Sequence, residues 1–263
     1  MEMMELIRTR KSVRTFDGKA VADTDIEKLT DYVKTVTNPY HIPVEFVLLE
    51  AKAHGLSSPV IQGENLYIAG KVPETAHCEE AFGYAFEKIV LYAWSLGIGT
   101  TRIGGTMNRE KFEQEANLKK GEIMPCVSPL GIPAKKRSVK EIAMRTAIQA
   151  DKRIKDAELF FENDFSTPLH TDDTMIQNAL EAVRLAPSAV NKQPWRIVKI
   201  GNTYHFYKKQ SIGGRGAAWD VQKVDIGIAL CHFITITGGK LVLSDPLIDT
   251  PKDTEYTAGV ILE

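Results

Sequence analysis

"RLAPSAVNKQPWRIVKI", residues 184–200, reads as the end of a helix, a polar elbow and the opening of a strand. Pro187 stops the helical run, Ser188 and Asn191 favour turns, and Gln193 stands just before Pro194 and Trp195, where extended chain resumes. A helix-to-strand turn around a packed Trp would satisfy this stretch taken alone. Its weight for the fold comes from a second copy. Displaced by 150 positions without a gap, "QPWRIVKI" at 193–200 falls on "PVEFVLLE" at 43–50, Ile176 on Ile26 and Val183 on Val33. The order helix, elbow, strand therefore occurs twice, and the pattern predicts a pair of pseudo-symmetric α+β halves.

Working outward, apolar periodicity and turn residues predict helices at about 2–8 and 23–36, the second entered by the acidic cap candidates Asp23 and Asp25. A strand follows at 44–50. A long helix at about 79–96 carries Phe82, Phe86, Ile89, Val90 and Ala93 at three- and four-residue steps and ends at Gly97. A further helix at about 108–117 and a strand within "GEIMPCVSPLG" lead to a loop at 131–136. In the second copy, a helix to about Ala186 precedes a strand at 196–201, a hairpin-like "YHFYKK" and an apolar helix from Val221 to about Thr237. The predicted organisation is a first half at 1–137, a mainly helical, polar connector at 138–172, and a second half at 173–263.

Composition sets the class. The chain has 263 residues, 43% of them hydrophobic, enough for a sizeable core. Its 33 Lys plus Arg nearly cancel 34 Asp plus Glu, a formal net charge of -1 that marks no nucleic-acid footprint. No run reaches the roughly 20 apolar residues of a membrane span, and "MEMMELIRTR" is no secretory leader, so a cytoplasmic location is expected. Cys78, Cys126 and Cys231 are dispersed and read as reduced; the scattered histidines form no zinc motif, and no GxSxG elbow is present. No metal is expected, and no side chain stands out as a catalytic acid, base or nucleophile.

Two basic clusters and a glycine-rich loop carry what chemistry is visible. "IRTRKSVRTF" gathers Arg8, Arg10, Lys11 and Arg14 around Ser12 where a helix gives way to extended chain, an arrangement suited to a phosphate because arginine offers a fixed fork of donors. It also suits a plain solvated basic patch. "GIPAKKR" at 131–137 places Lys135, Lys136 and Arg137 after a turn, as a second candidate for the same anion. Between them, "SLGIGTTRIGGTMNRE" holds Gly97, Gly99, Gly104 and Gly105, which let backbone approach a flat ligand. These glycines follow a helix rather than a strand, so they are not a dinucleotide fingerprint.

Taken together and in order, "RTRKSVR", "GIGTTRIGG", "GIPAKKR" and "APSAVNKQPW" resemble the FMN-dependent nitroreductase family, in its duplicated single-chain, thermophile-type branch. The resemblance implies a nitroreductase-like α+β fold of antiparallel sheets flanked by helices, with the two halves forming an intramolecular pseudo-dimer. It implies that Arg10, Lys11 and Ser12 hold the FMN phosphate, with Lys136 and Arg137 closing on it. Pro187, Ser188, Asn191 and Gln193 would border the isoalloxazine and ribityl chain, while the main chain at Ile103, Gly104 and Gly105 would approach the reactive ring. The second half has "FSTPLHTDD" where the arm should be, and the first half has "VTNPYHIPVE" where the elbow motif should be. One complete FMN site per chain, and a monomer, are the expectation.

The activity so implied is ping-pong hydride transfer from NADH or NADPH through the flavin to a small nitroaromatic, quinone or related acceptor. Arg14, Arg102 or Arg215 could meet a 2'-phosphate, which leaves the choice of nicotinamide open. The alternative is a non-catalytic flavin-binding or redox-sensing protein; a third reading is a structural protein that has lost the cofactor.

Overall fold

The structure, a computed structural model, describes residues 2–211 and 219–263; Arg215 lies outside the described residues. The first half contains α1 (Met3–Thr9), α2 (Asp23–Thr35), β1 (Glu45–Glu50), β2 (Leu66–Pro73), α3 (Cys78–Ser95), β3 (Gly99–Thr100), α4 (Arg109–Glu115), β4 (Glu122–Ile123) and β5 (Val127–Gly131). After α5 (Val139–Ala147) and β6 (Phe160–Glu162) come α6 (Thr174–Leu185), β7 (Trp195–Ile200), β8 (Thr203–Lys209), α7 (Val221–Thr237), β9 (Lys240–Val242) and β10 (Thr254–Ile261).

The two sheets repeat one topology. The first runs β1-β2-β5-β3 and the second β7-β8-β10-β9, all neighbours antiparallel. β4 adds to β2 in the first sheet, and β6 adds to the outer edge of β7 in the second. The β6–β7 pair is parallel, a departure from the antiparallel expectation, because the connector enters alongside β7 instead of through a hairpin. The connector is correspondingly less helical than expected: α5 spans nine residues, and the chain then turns toward β6.

Between the sheets, α3 and α7 cross in close contact. Both are apolar nearly all round, the pattern of a helix with protein on every side, with Phe82, Phe86, Ile226 and Phe233 fully buried. Their approach is set by glycine: a Cβ on Gly83 would lie 2.0 Å from the Val224 carbonyl oxygen, and one on Gly227 would lie 2.0 Å from that of Glu80. The contact is reciprocal, each glycine facing the residue three before the other. It relates the two central helices by a shift of 144 positions, as the elbows are related by 150.

Helix ends follow local chemistry. Asp173 caps α6 by accepting the N–H groups of Met175 and Ile176, and Gly238, at φ 68°, ends α7. Asp23 and Asp25 do not cap α2: the cap position is Ala22, and the two acids sit in the first turn, where the helix dipole favours them. None of the described helices is long and apolar enough to cross a membrane.

Candidate functional site

A cavity of about 590 Å³ opens where the first half, the connector and the second half meet. The first half supplies Arg10, Lys11, Ser12 and Arg14 from the chain after α1, and the Thr100–Thr106 segment after β3. The arm is pinned beside that segment by the Val13 N–H donating to the Thr100 carbonyl at 2.9 Å. The second half supplies Pro187, Ser188, Ala189, Val190 and Asn191 from the elbow, with Trp219, Val224 and Asp225 at the start of α7.

Of the residues singled out in the sequence, Arg10, Lys11, Ser12, Ile103, Gly104, Gly105, Pro187, Ser188 and Asn191 thus line one cavity. Lys136, Arg137 and Gln193 do not. Arg137 turns to Glu141, 3.4 Å away, and borders a separate surface depression on α5. Gln193 is buried under the elbow, where it accepts the Ile154 N–H at 3.0 Å and donates to the Lys152 carbonyl at 3.2 Å. Asn191 also reaches the connector, donating to the Gln149 and Lys152 carbonyls at 2.7 and 2.9 Å. Elbow and connector are therefore laced together. The elbow pays with backbone strain, since Val190, Asn191 and Gln193 have φ of 42°, 58° and 49°, a region that disfavours side chains.

Charge in the cavity is lopsided. The Arg10 side chain is 6% exposed; its Nε lies 4.0 Å from Glu87 Oε1 and has no hydrogen-bond partner among the described residues. Burial lowers its pKa to about 10, against the pull of Glu87, and repulsion from Arg102, Arg153 and Arg145 adds to the lowering. Arg145 and Arg153, both from the connector, line the same cavity, and the Nε atoms of Arg153 and Arg14 are likewise buried without a partner. The sequence singled out neither connector arginine: Arg145 stands alone among uncharged neighbours, and Arg153, in "DKRIK", falls outside every motif that carries the family resemblance.

Behind the cavity one carboxylate anchors this cluster. Glu87, fully buried on α3, accepts from both terminal nitrogens of Arg102 at 2.6 and 2.7 Å and lies 2.9 Å from His232 Nε2 on α7. His232 Nδ1 lies 2.7 Å from the Ala182 carbonyl, so the ring bridges α3 and α6 from α7. Burial alone would push the Glu87 carboxyl up; Arg102, His232 and Arg10 outweigh it and hold it at about 2. Asp225 behaves oppositely. It is 3% exposed, and burial pushes it up to about 8 although Ala189 N–H and Arg102 pull the other way.

The glycine loop leaves donors uncommitted. Ile103 exchanges both of its main-chain hydrogen bonds with Val127 at 2.9 Å, and the Gly104 carbonyl accepts from Arg109 at 2.6 Å. The N–H groups of Gly104 and Gly105 bond to nothing among the described residues. A Cβ on Gly105 would meet no atom of the described residues within 4 Å. Buried arginine donors, together with main-chain N–H groups left unbonded among the described residues, fit a flat ligand with an anionic tail.

Comparison with known proteins agrees with this architecture. A family model described as "Putative TM nitroreductase" matches residues 2–236. The whole chain superposes on 94% of a structure from Thermotoga maritima, described as a putative nitroreductase, with a TM-score of 0.62 at 22% identity. An FMN-dependent nitroreductase from Clostridium difficile R20291 is matched over 64% of this chain and 98% of its own, with a TM-score of 0.45 at 14% identity. No curated protein matches in sequence. With a duplicated α+β fold, a cavity between its halves and a family match over most of its length, the chain belongs to the nitroreductase family.

Proposed function

We propose that the protein is an FMN-dependent oxidoreductase that uses NADH or NADPH to reduce small nitroaromatic, quinone or related acceptors, with one FMN per chain. The observation that carries this reading is that Arg10, Arg145 and Arg153 line one cavity with Gly104 and Gly105, whose N–H groups have no partner among the described residues. The arginines would hold the phosphate, with Lys11 and Ser12 beside them. Pro187, Ser188 and Val190 would give an apolar and hydroxyl-bearing wall to the ring. FMN bound there supplies hydride transfer in both directions. The chain's part is to orient it, to keep water from one face and to offer N–H donors where negative charge gathers.

The count of one per chain draws support from the pseudo-symmetric position. Shifts of 150 and 144 place Tyr40, His77 and Glu80 opposite Val190, Val221 and Val224, all three of which line the cavity. In the first half, Tyr40 stacks on His77 with ring centroids 5.4 Å apart, and Glu80 is 1% exposed beside them. Aromatic side chains thus stand where the other copy leaves space.

The test is titration of apo-protein with FMN, FAD and NAD. FMN should bind most tightly, at one per chain, and Arg10→Ala should weaken it roughly 10 to 100-fold, the loss of a charge-assisted contact of about 1.5 to 3 kcal/mol. Arg184→Ala should change little, because Arg184 is held by Glu181 and Asp156 and does not line the cavity. Tighter FAD binding, or equal losses at both positions, sinks the reading. Reoxidation of NAD(P)H-reduced protein by added acceptor separates an enzyme from a flavin carrier.

A further inference from the structure

Asp225 is an acid that nothing in the packing of α7 demands. Its oxygens lie 3.1 and 3.0 Å from the Ala189 nitrogen, so a single N–H from the strained elbow is shared between them. Asp225 is among the residues that line the cavity. In the other half the same positions hold Ala81, by the 144-residue shift between the central helices, and Pro39, by the 150-residue shift between the elbows. Ala81 is fully buried there, so an alanine suffices for the helix crossing, and Pro39 has no N–H to offer. Acid and donor are present together only in the half that borders the cavity.

The groups facing Asp225 come from three elements. Arg102 approaches from the segment after β3, Asp220 caps α7 on the same helix, and Cys126 lies on the chain before β5. Arg102 is already committed to Glu87 through both terminal nitrogens, so Asp225 has no hydrogen-bonded cation among the described residues. A carboxylate in that position would be a buried charge with one shared N–H, which costs more than the neutral acid.

We propose that Asp225 meets the ligand of this cavity as a neutral carboxylic acid, one oxygen accepting from Ala189 N–H while the O–H donates to an acceptor atom of the bound ring. The inference rests on the flavin reading above and names a ligand-binding residue for it. Filling the cavity removes water from around Asp225 and makes its ionised form still less favourable. Binding near pH 8, where burial places the titration of the free protein, must then be accompanied by proton uptake.

The experiment is isothermal titration of FMN into apo-protein between pH 7 and 9, in two buffers of different ionisation heat. Affinity should fall by up to about tenfold over that range, with uptake of a fraction of a proton per FMN near pH 8. Arg10 and Cys126 do not account for such a step, since burial places them at about 10 and about 12. Asp225→Asn keeps an acceptor for Ala189 and a donor for the ligand. It should bind FMN within a few-fold of the parent at pH 7 and hold that affinity to pH 9, which a merely structural role would not produce. A flat parent profile with no proton uptake overturns the proposal without any variant, as does a step that survives in Asp225→Asn or a variant that folds and loses FMN at pH 7. Absence of FMN binding by the parent overturns the flavin reading itself, and this inference with it; binding without the pH step overturns only the inference.

Discussion

Replacing Gly83 by alanine tests how closely α3 and α7 cross. The added Cβ would stand 2.0 Å from the Val224 carbonyl oxygen, about 1.4 Å short of the 3.4 Å at which ordinary contact begins. That oxygen is helix backbone and cannot move without α7, so the two helices must separate. Overpacking of this kind costs about 3 kcal/mol at the upper end of its usual range. Alanine recovers about 1 kcal/mol of helix propensity, leaving a net loss of about 2 kcal/mol. Gly227→Ala, which meets the Glu80 carbonyl at 2.0 Å, should cost the same. The two clashes are reciprocal, so one separation relieves both. The double variant should lose only about 1 kcal/mol, where additivity would give about 4, a coupling of about 3 kcal/mol. Urea unfolding of the parent, both single variants and the double variant, followed by far-UV circular dichroism at one pH, gives the cycle directly. An additive double variant would refute the shared crossing, and a neutral single variant would refute its closeness.

Three further outcomes follow from the site. Glu87→Gln removes the counter-charge of buried Arg10 and Arg102 and should lose about 3 to 5 kcal/mol at pH 7 by chemical denaturation. Because the folded carboxyl titrates at about 2, below its ordinary 4.5, the parent's advantage is complete above pH 4.5 and is lost as pH falls to 2; an advantage that grows on acidification would contradict the network. Arg153→Ala should weaken FMN binding by roughly tenfold or more, whereas Lys136→Ala and Arg137→Ala should change it less than about threefold, and the reverse order would restore the loop at 131–137 as the phosphate site. One FMN should remain with a 29.3 kDa species through a dilution series followed by light scattering and flavin absorbance, since linked halves meet without dependence on concentration; flavin lost only as a larger species dissociates would speak against it.

Local pattern was enough for much of this fold. The 3.6-residue periodicity of α3 and α6, the stop at Pro187 and the repeat that brings 43–50 onto 193–200 are properties of neighbouring residues, and they set the helices, the elbow and the duplication. β2, "LYIAGKVP", escaped because it is buried along nearly its whole length, so no alternation of polar and apolar residues marks it. The anion arm and the glycine loop were legible as motifs, since their chemistry lies in one short run each.

What only tertiary structure decided is which charges meet. Lys136 and Arg137 stand in a basic run and still do not line the cavity; Arg137 pairs instead with Glu141, whose carboxylate also accepts from Thr15 and from the Arg14 main chain as α5 docks. That docking, and the ties of Asn191 and Gln193 to residues 149–154, carry Arg145 and Arg153 into the cavity instead. Glu87, His232 and Asp225 occupy helices that would be apolar by pattern. The protonation of Glu87 and Asp225 depends on burial and on partners distant in the chain, and Glu87 meets His232 across 145 positions, so no window of sequence contains both members of such a pair.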